Sequence, residues 1–285
     1  MDKLLKSISQ DGSYSICVIE ATDMINQAIK IHGLSPVCAA ATGRTMMAAT
    51  FMSSSLKNAD DKLTIVVKGD GPCGKITVCG NSMLQMRGTI DNANVYLPLR
   101  ADKKLNVGGC VGKNGKITVI KSMGLKEPYS GSSKLVSGEI AEDFAAYYAF
   151  SEQQPTAMAL GVKIDTDTSC MSAGGVVVQA LPNASEEELI KAENIIKGLS
   201  DISSVMKNLH AEGVIKQYFG ITDFAEYYPK YECLCSREYI EKVIISLGKK
   251  EAEDIIKETG KIEVNCQFCG KKYVFCEQDL EKIFN

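Results

Sequence analysis

Cysteine is the residue type best placed to do chemistry in this 285-residue chain, and its eleven copies are unevenly spread. Six of them (Cys17, Cys38, Cys73, Cys79, Cys110 and Cys170) precede residue 200, while Cys233, Cys235, Cys266, Cys269 and Cys276 crowd the C-terminal end. There the pattern is Cys233-x-Cys235, thirty residues, then Cys266-x-x-Cys269-Gly270. Four thiolates in two close pairs can surround one tetrahedral Zn²⁺. Two intervening residues let the second pair curl so that both sulfurs face one point, and Gly270 supplies the backbone freedom of such a knuckle. The first pair, with a single intervening residue, is tighter than zinc ribbons usually use. A metal there would stabilise a small module by roughly 10–16 kcal/mol, as in zinc-finger peptides. Spacing alone leaves its purpose open: a purely structural ion, or even four separate buried thiols, would give the same letters.

Other motifs carry less. GDGPCGKI at Gly69–Ile76 approaches a phosphate-binding loop, but Ile76 stands where Ser or Thr is required and a strand pattern follows instead of a helix. It reads as a hairpin turn. Ser54-x-x-Lys57 and Ser204-x-x-Lys207 have a nucleophile spacing without the motifs that accompany it. His32 and His210 are the two histidines, both at expected helix ends, and no Ser/His/Asp set can be assembled. Glu139, Glu142 and Asp143 read as a solvated helix face, and Met46, Met47 and Met52 as core packing, with a flexible client-binding surface as the alternative. No catalytic residue is expected, and the chain does not read as an enzyme.

Composition narrows the setting. Hydrophobic residues are 45%, charged ones 24%, and the net charge is -3, as in an ordinary globular protein. Residues 232–285 hold nine Lys/Arg against eleven Asp/Glu, so no basic stripe invites a nucleic acid. The start of the chain lacks a signal peptide, and no apolar run approaches a membrane span. A cytoplasmic location is therefore expected, where thiols stay reduced.

The elements that must position the cysteines follow from periodicity. Residues 1–180 alternate β-branched runs with Gly-rich turns: Leu63–Lys68 and Lys75–Gly80 around GDGPCG, and Lys116–Lys121 after a Lys-Asn-Gly turn. Thr22–His32, Pro36–Lys57 and Ser137–Ser151 read as helices. The fold class is α+β: an N-terminal, mostly antiparallel sheet packed with helices, a helical linker, and a small C-terminal zinc-binding module. Residues 181–230 form the linker. It opens at Ser185 with Glu188 as a capping box, carries an apolar stripe of Ile190, Ile195, Ile196 and Leu199, and continues in a second helix from Asp201 towards His210. Residues 231–285 form the module. Ser236 caps a helix to about Leu247, another ends at Gly260, Lys261–Val264 and Lys272–Phe275 flank CQFCG as a hairpin, and a last helix starts near Glu277.

Five stretches carry a wider resemblance: HGLSPVCAAATGR (His32–Arg44), LTIVVKGDGPCGKITV (Leu63–Val78), SGEIAEDFAAYYAFSEQ (Ser137–Gln153), AGGVVVQALPNA (Ala173–Ala184), and CLC with CQFCG. With them the chain resembles, over nearly its whole length, the redox-regulated heat-shock holdase family, the bacterial 33 kDa chaperonins. The resemblance implies that Cys233, Cys235, Cys266 and Cys269 hold one Zn²⁺ in a reduced, inactive state. It implies that peroxide or hypochlorous acid closes the disulfides Cys233–Cys235 and Cys266–Cys269, releases zinc, unfolds the linker and exposes apolar surface. It further implies ATP-independent binding of unfolding or oxidatively damaged client proteins, dimerisation on activation and transfer of clients to ATP-dependent chaperones. Cys276 and the six earlier cysteines lie outside that ligand set. A zinc-ribbon adaptor for nucleic acid and a thiol oxidoreductase using Cys266-x-x-Cys269 are the rival functions. The local charge opposes the first, and the hairpin context opposes the second.

Overall fold

A computed structural model describes residues 1–124, 126–182 and 184–284. The chain divides into two compact units, Met1–Glu232 and Cys233–Asn285.

The first unit is built on two sheets. One has the order β10-β1-β2-β9-β8, all antiparallel, from β1 (Lys3–Ile8), β2 (Tyr14–Glu20), β8 (Thr156–Ile164), β9 (Cys170–Ala180) and β10 (Ala225–Tyr227). The other has the order β11-β5-β4-β3-β6-β7, from β3 (Lys62–Lys68), β4 (Lys75–Asn81), β5 (Gln85–Ile90), β6 (Lys116–Ser122), β7 (Tyr129–Lys134) and β11 (Lys230–Tyr231). Only the short β11–β5 pairing is parallel. The hairpin read from GDGPCG is present, with Lys68 opposite Lys75. Its loop runs straight into β4, so the helix that follows a phosphate-binding loop is missing.

Helices α1 (Thr22–His32) and α2 (Pro36–Ser53) fill the space beside these sheets. In α2 sixteen of eighteen residues are buried, leaving only Pro36 and Arg44 partly exposed. A helix apolar all round can only be a core element. Met46, Met47 and Met52 belong to that core, which removes the client-surface alternative for them in this state. The helix stops at Ser53, four residues short of the sequence expectation, because Ser54–Lys57 turns towards β3. A short α3 (Val107–Val111) precedes β6, and α4 (Ala141–Tyr147) runs on as a π-helical turn, Tyr148–Glu152.

Of the solvated acidic face expected from Glu139, Glu142 and Asp143, only Glu142 is exposed. Asp143 is fully buried, and its carboxylate accepts the backbone N–H groups of Val136, Ser137, Gly138 and Ile140. Glu139 binds Arg44 at 2.7 Å and Arg100 at 2.9 Å. These acids hold a turn and a helix start together, so α4 begins at Ala141 and the four residues before it form the capped turn.

Strand periodicity gives the first sheet two apolar faces. Cys17, Ile19 and Val177 point into the core with α1 and α2, whereas Leu5, Ile16, Val18, Val176 and Val178 point the other way. The second face is covered by α5 (Glu186–Gly198) and α6 (Ile202–Phe219) through Ala192, Ile196, Leu199, Ile202, Met206, Val214 and Ile215. Ile190, expected in the stripe, is instead 52% exposed. Close approach of α6 requires Gly161 and Gly174: a Cβ on Gly161 would lie 2.8 Å from Ser203 N and Ile202 Cγ2. Ser185 precedes α5, but its side chain makes no capping hydrogen bond, so the expected capping box is not formed. His210 marks a kink inside α6, with φ 55°, where Glu20 receives its Nδ1 at 2.9 Å and the Ala211 N–H at 3.2 Å.

The second unit is small. Helices α7 (Arg237–Leu247), α8 (Lys249–Thr259) and α9 (Glu277–Phe284) pack with the hairpin β12 (Ile262–Asn265)–β13 (Lys272–Phe275). Among the described residues six make its buried core: Ile240, Ile244, Ala252, Ile262, Phe275 and Leu280. A core that small is marginal by itself.

Candidate metal centre

Both cysteine pairs are placed by well-defined local structure. Ser236 caps α7, its Oγ accepting the Tyr239 N–H at 3.1 Å, so Cys233 and Cys235 sit in the extended segment that enters the helix. Arg237 anchors that entry. Its guanidinium lies 4.2 Å from the Phe275 ring centre, donates to Val274 O at 3.1 Å and pairs with Asp279 at 2.8 Å. The second pair forms the knuckle of the β12–β13 hairpin. Cys266 N–H donates to Lys271 O and Gly270 N–H to Cys266 O, both at 2.9 Å, and Gly270 adopts φ 69° with open space where a Cβ would be. The left-handed conformation is what glycine permits without strain.

The four sulfurs converge. All lie within 4.8 Å of one another, with Cys233 and Cys266 at 3.6 Å and Cys235 and Cys269 at 3.3 Å. A tetrahedron of thiolates around Zn²⁺ at about 2.3 Å separates sulfurs by about 3.8 Å, so the cluster fits such an ion. Each cysteine is half-buried, reachable by a small oxidant. Among the described residues this is the one group of three or more such side chains close enough to share a metal.

Tyr273, on β13, was not singled out by the sequence. Its hydroxyl donates to Cys235 O at 3.1 Å and lies 3.2 Å from Cys235 Sγ. The only hint was its place beyond the knuckle, one strand position into the returning arm. In the metal-free cluster, burial pushes the Cys233 thiol up, and Cys269 likewise. Burial also acts on Cys235, but the Tyr273 hydroxyl and the neighbouring thiols outweigh it and bring Cys235 down to about 7. The bond to Cys235 in turn raises Tyr273. A phenol donating to a sulfur stabilises the thiolate, which is both the metal-binding and the nucleophilic form.

The remaining cysteines stand apart. Cys276 is exposed at the start of α9, its Sγ 3.3 Å from Asp279 Oδ2. Cys17 and Cys170 are buried, and burial pushes each thiol up to about 12. His32 Nε2 meets Tyr231 Oη at 3.0 Å, a structural contact at the end of α1.

Comparison with known proteins agrees with this architecture. A family model described as Hsp33 protein matches residues 2–276. The 33 kDa chaperonin of Desulforamulus reducens is 43% identical over 286 residues, covering 99% of this chain and 97% of its own. That of Acetivibrio thermocellus is 41% identical, with 99% and 96% covered. The crystal structure of the 33 kDa chaperonin (heat shock protein 33 homolog) from Thermotoga maritima superposes with a TM-score of 0.89 at 33% identity, covering 99% of this chain and 97% of that one.

Proposed function

The chain belongs to the Hsp33 family, and from that premise we propose that it is a redox-regulated holdase. In this reading, the reduced protein is inactive and oxidation turns it into a binder of unfolding proteins. The observation that carries the reading is the convergence of four half-buried thiols in a unit with a six-residue core. Zn²⁺ is the ion that suits four thiolates in this setting, with Cys233, Cys235, Cys266 and Cys269 as its ligands. Held by these residues, such an ion would join the entry to α7 and the β12–β13 knuckle and would supply a large part of the unit's stability.

The chemistry of activation is thiol oxidation. A cysteine thiolate attacks peroxide, the O–O bond breaks, and a sulfenic acid and hydroxide result. The second thiol of the pair displaces that oxygen as water and forms the disulfide. Two peroxides thus oxidise four thiols to two bridges and yield four waters. We assign the bridges to Cys233–Cys235 and Cys266–Cys269. The shortest sulfur contacts run between the pairs, but once ligation is lost the short loops within each pair close far more readily than loops of over thirty residues. Bridged sulfurs are no longer thiolate ligands, so the unit loses its main support.

Residues 181–230 then act as the responsive linker between a chaperone core, 1–180, and a redox module, 231–285. The linker ends at β10 and β11, immediately before Cys233. Its detachment would uncover the outer face of the first sheet (Leu5, Ile16, Val18, Val176, Val178) together with its own apolar side. Unfolding clients would bind there without ATP. Dimerisation of the oxidised form, later transfer of clients to ATP-dependent chaperones, and a cytoplasmic site of action rest on the family resemblance. Among the described residues no helix is long and apolar enough to cross a membrane.

The assignment of the centre is tested by adding peroxide at raised temperature while a chromogenic chelator reports zinc and peptide mapping reports bridges. The expected result is about one zinc released per chain in step with closure of both pairs. Zinc retained after both bridges form would overturn it.

A further inference from the structure

One end of the second sheet carries four lysines in a single row. The strand register sets Lys75 on β4 opposite Lys68 on β3, Lys68 opposite Lys116 on β6, and Lys116 opposite Lys134 on β7. All four are exposed. Adjacent strands lie about 4.8 Å apart, so the row crosses four strands in about 14 Å. Like charges directly opposite one another on a sheet are destabilising, and here three neighbouring pairs repeat that arrangement. Among the described residues Lys75 alone of the four has an ion pair, with Asp91 at 3.9 Å. Asp70, in the loop beyond Lys68, is taken up by Asn114, which donates both its backbone N–H and its side-chain amide to it. The strand ends are held by close packing: a Cβ on Gly115, just before β6, would come within 2.6 Å of Gly69 Cα in the β3–β4 loop. Ile65, Val67, Ile76 and Val78 point the other way, into the core with α2. On the lysine face the next register row is Thr89, Thr77, Val66, Thr118 and Ser132, four hydroxyls among five side chains. Among the described residues, none on this face of β3–β7 is aromatic.

We propose that this row binds an extended chain of phosphates that carries no bases, an inorganic polyphosphate. Four ammonium groups in line match a linear polyanion, whereas a single phosphate ion would engage only one or two of them. Lysine meets phosphate as a point charge and does not demand the paired geometry of a guanidinium, which suits a flexible, repetitive ligand. The hydroxyl row alongside supplies donors for further phosphate oxygens. Single-stranded nucleic acids are held largely by bases stacked on aromatic rings, and this face has none. A bare phosphate chain needs no stacking and carries more charge per unit length than an RNA strand, which spaces its phosphates with sugars. Binding would also neutralise the mutual repulsion that the row builds into the sheet. The site shares no residue with the C-terminal thiols.

The test is fluorescence anisotropy of end-labelled inorganic polyphosphate titrated with the full-length chain, with labelled oligouridine as the second probe. Three proteins are compared: the unaltered chain, Lys68→Gln/Lys116→Gln in the row, and Lys242→Gln/Lys250→Gln, which removes the same charge from exposed positions of the second unit. At about −0.7 in log–log slope per neutralised phosphate, raising salt from about 50 to about 200 mM should weaken polyphosphate binding about 50-fold for the unaltered chain. The row variant should bind more weakly at low salt and lose only about 7-fold over the same range. The second-unit variant should behave as the unaltered chain. The row variant should also melt no lower than the unaltered chain, because it removes like charges from opposed positions, so loss of binding is not loss of fold. Absence of polyphosphate binding at low salt would overturn the proposal, as would equal weakening in both variants. Oligouridine bound as tightly as polyphosphate, through the same lysines, would overturn it in favour of a nucleic-acid site. None of these results bears on the reading of the C-terminal centre.

Discussion

Replacing Cys266 by Ser substitutes a hard hydroxyl for a soft thiol at one of the four converging sulfurs proposed to hold zinc. Metal content, read by elemental analysis of the purified protein, should fall from about one zinc per chain to near zero. Full retention would mean that another side chain completes the site. The bystander thiols make a contrasting prediction. Cys17 and Cys170 are buried with thiols raised to about 12, so at pH 8 both remain protonated and enclosed. Iodoacetamide should label exposed Cys276 within minutes and reach Cys17 and Cys170 only after denaturation, as peptide mapping would report. Fast labelling of either in the folded protein would contradict their burial. At this scale the spacing of the sequence marked the four cysteines that the fold brings together. It hid Tyr273, because a lone tyrosine on a strand gains its role only when the hairpin folds its hydroxyl onto Cys235.

Individual elements set how α6 docks on the first sheet. Helix α6 reaches the first sheet over Gly161, where a side chain would collide with the Ser203 backbone. Gly161→Val should weaken that docking by about 1–3 kcal/mol and give partial client protection without any oxidant, followed by light scattering and by a hydrophobic dye. A variant that folds yet stays as silent as the unsubstituted reduced chain would separate linker docking from activity. Asp143→Ala leaves four buried backbone N–H groups without their acceptor and should cost about 3 kcal/mol or more in urea unfolding. Strands and helices were legible where one period ruled: α1 matches its expected bounds, and the hairpin across GDGPCG forms with each strand one residue longer than expected. The reading failed where tertiary partners overrode local pattern. Asp143 looked like one of a solvated acidic trio because nothing local shows that a preceding turn folds over it. Ile190 looked like part of a stripe, but the helix buries Ala192 beside the expected Ile196 and leaves Ile190 exposed.

The whole molecule pairs a large, well-filled unit with a small one that has little core to spare. Chelation under reducing conditions should therefore melt α7–α9 while leaving the first unit folded. Circular dichroism would show a partial loss of helix, and limited proteolysis would cut beyond residue 232 first. Cooperative loss of the entire fold would argue against independent units. The overall class was readable from the order of strand-like and helical runs, whereas the double-sided burial of the first sheet was not, because alternation looks the same whichever layer covers each face. The central claim, that oxidation converts a silent protein into a holdase, is met most directly by light scattering of a heat-unfolding client. Reduced zinc-loaded protein should leave aggregation unchanged, the peroxide-treated sample should suppress it at near-equal stoichiometry, and re-reduction with added zinc should restore silence. Equal protection before and after oxidation would contradict the account.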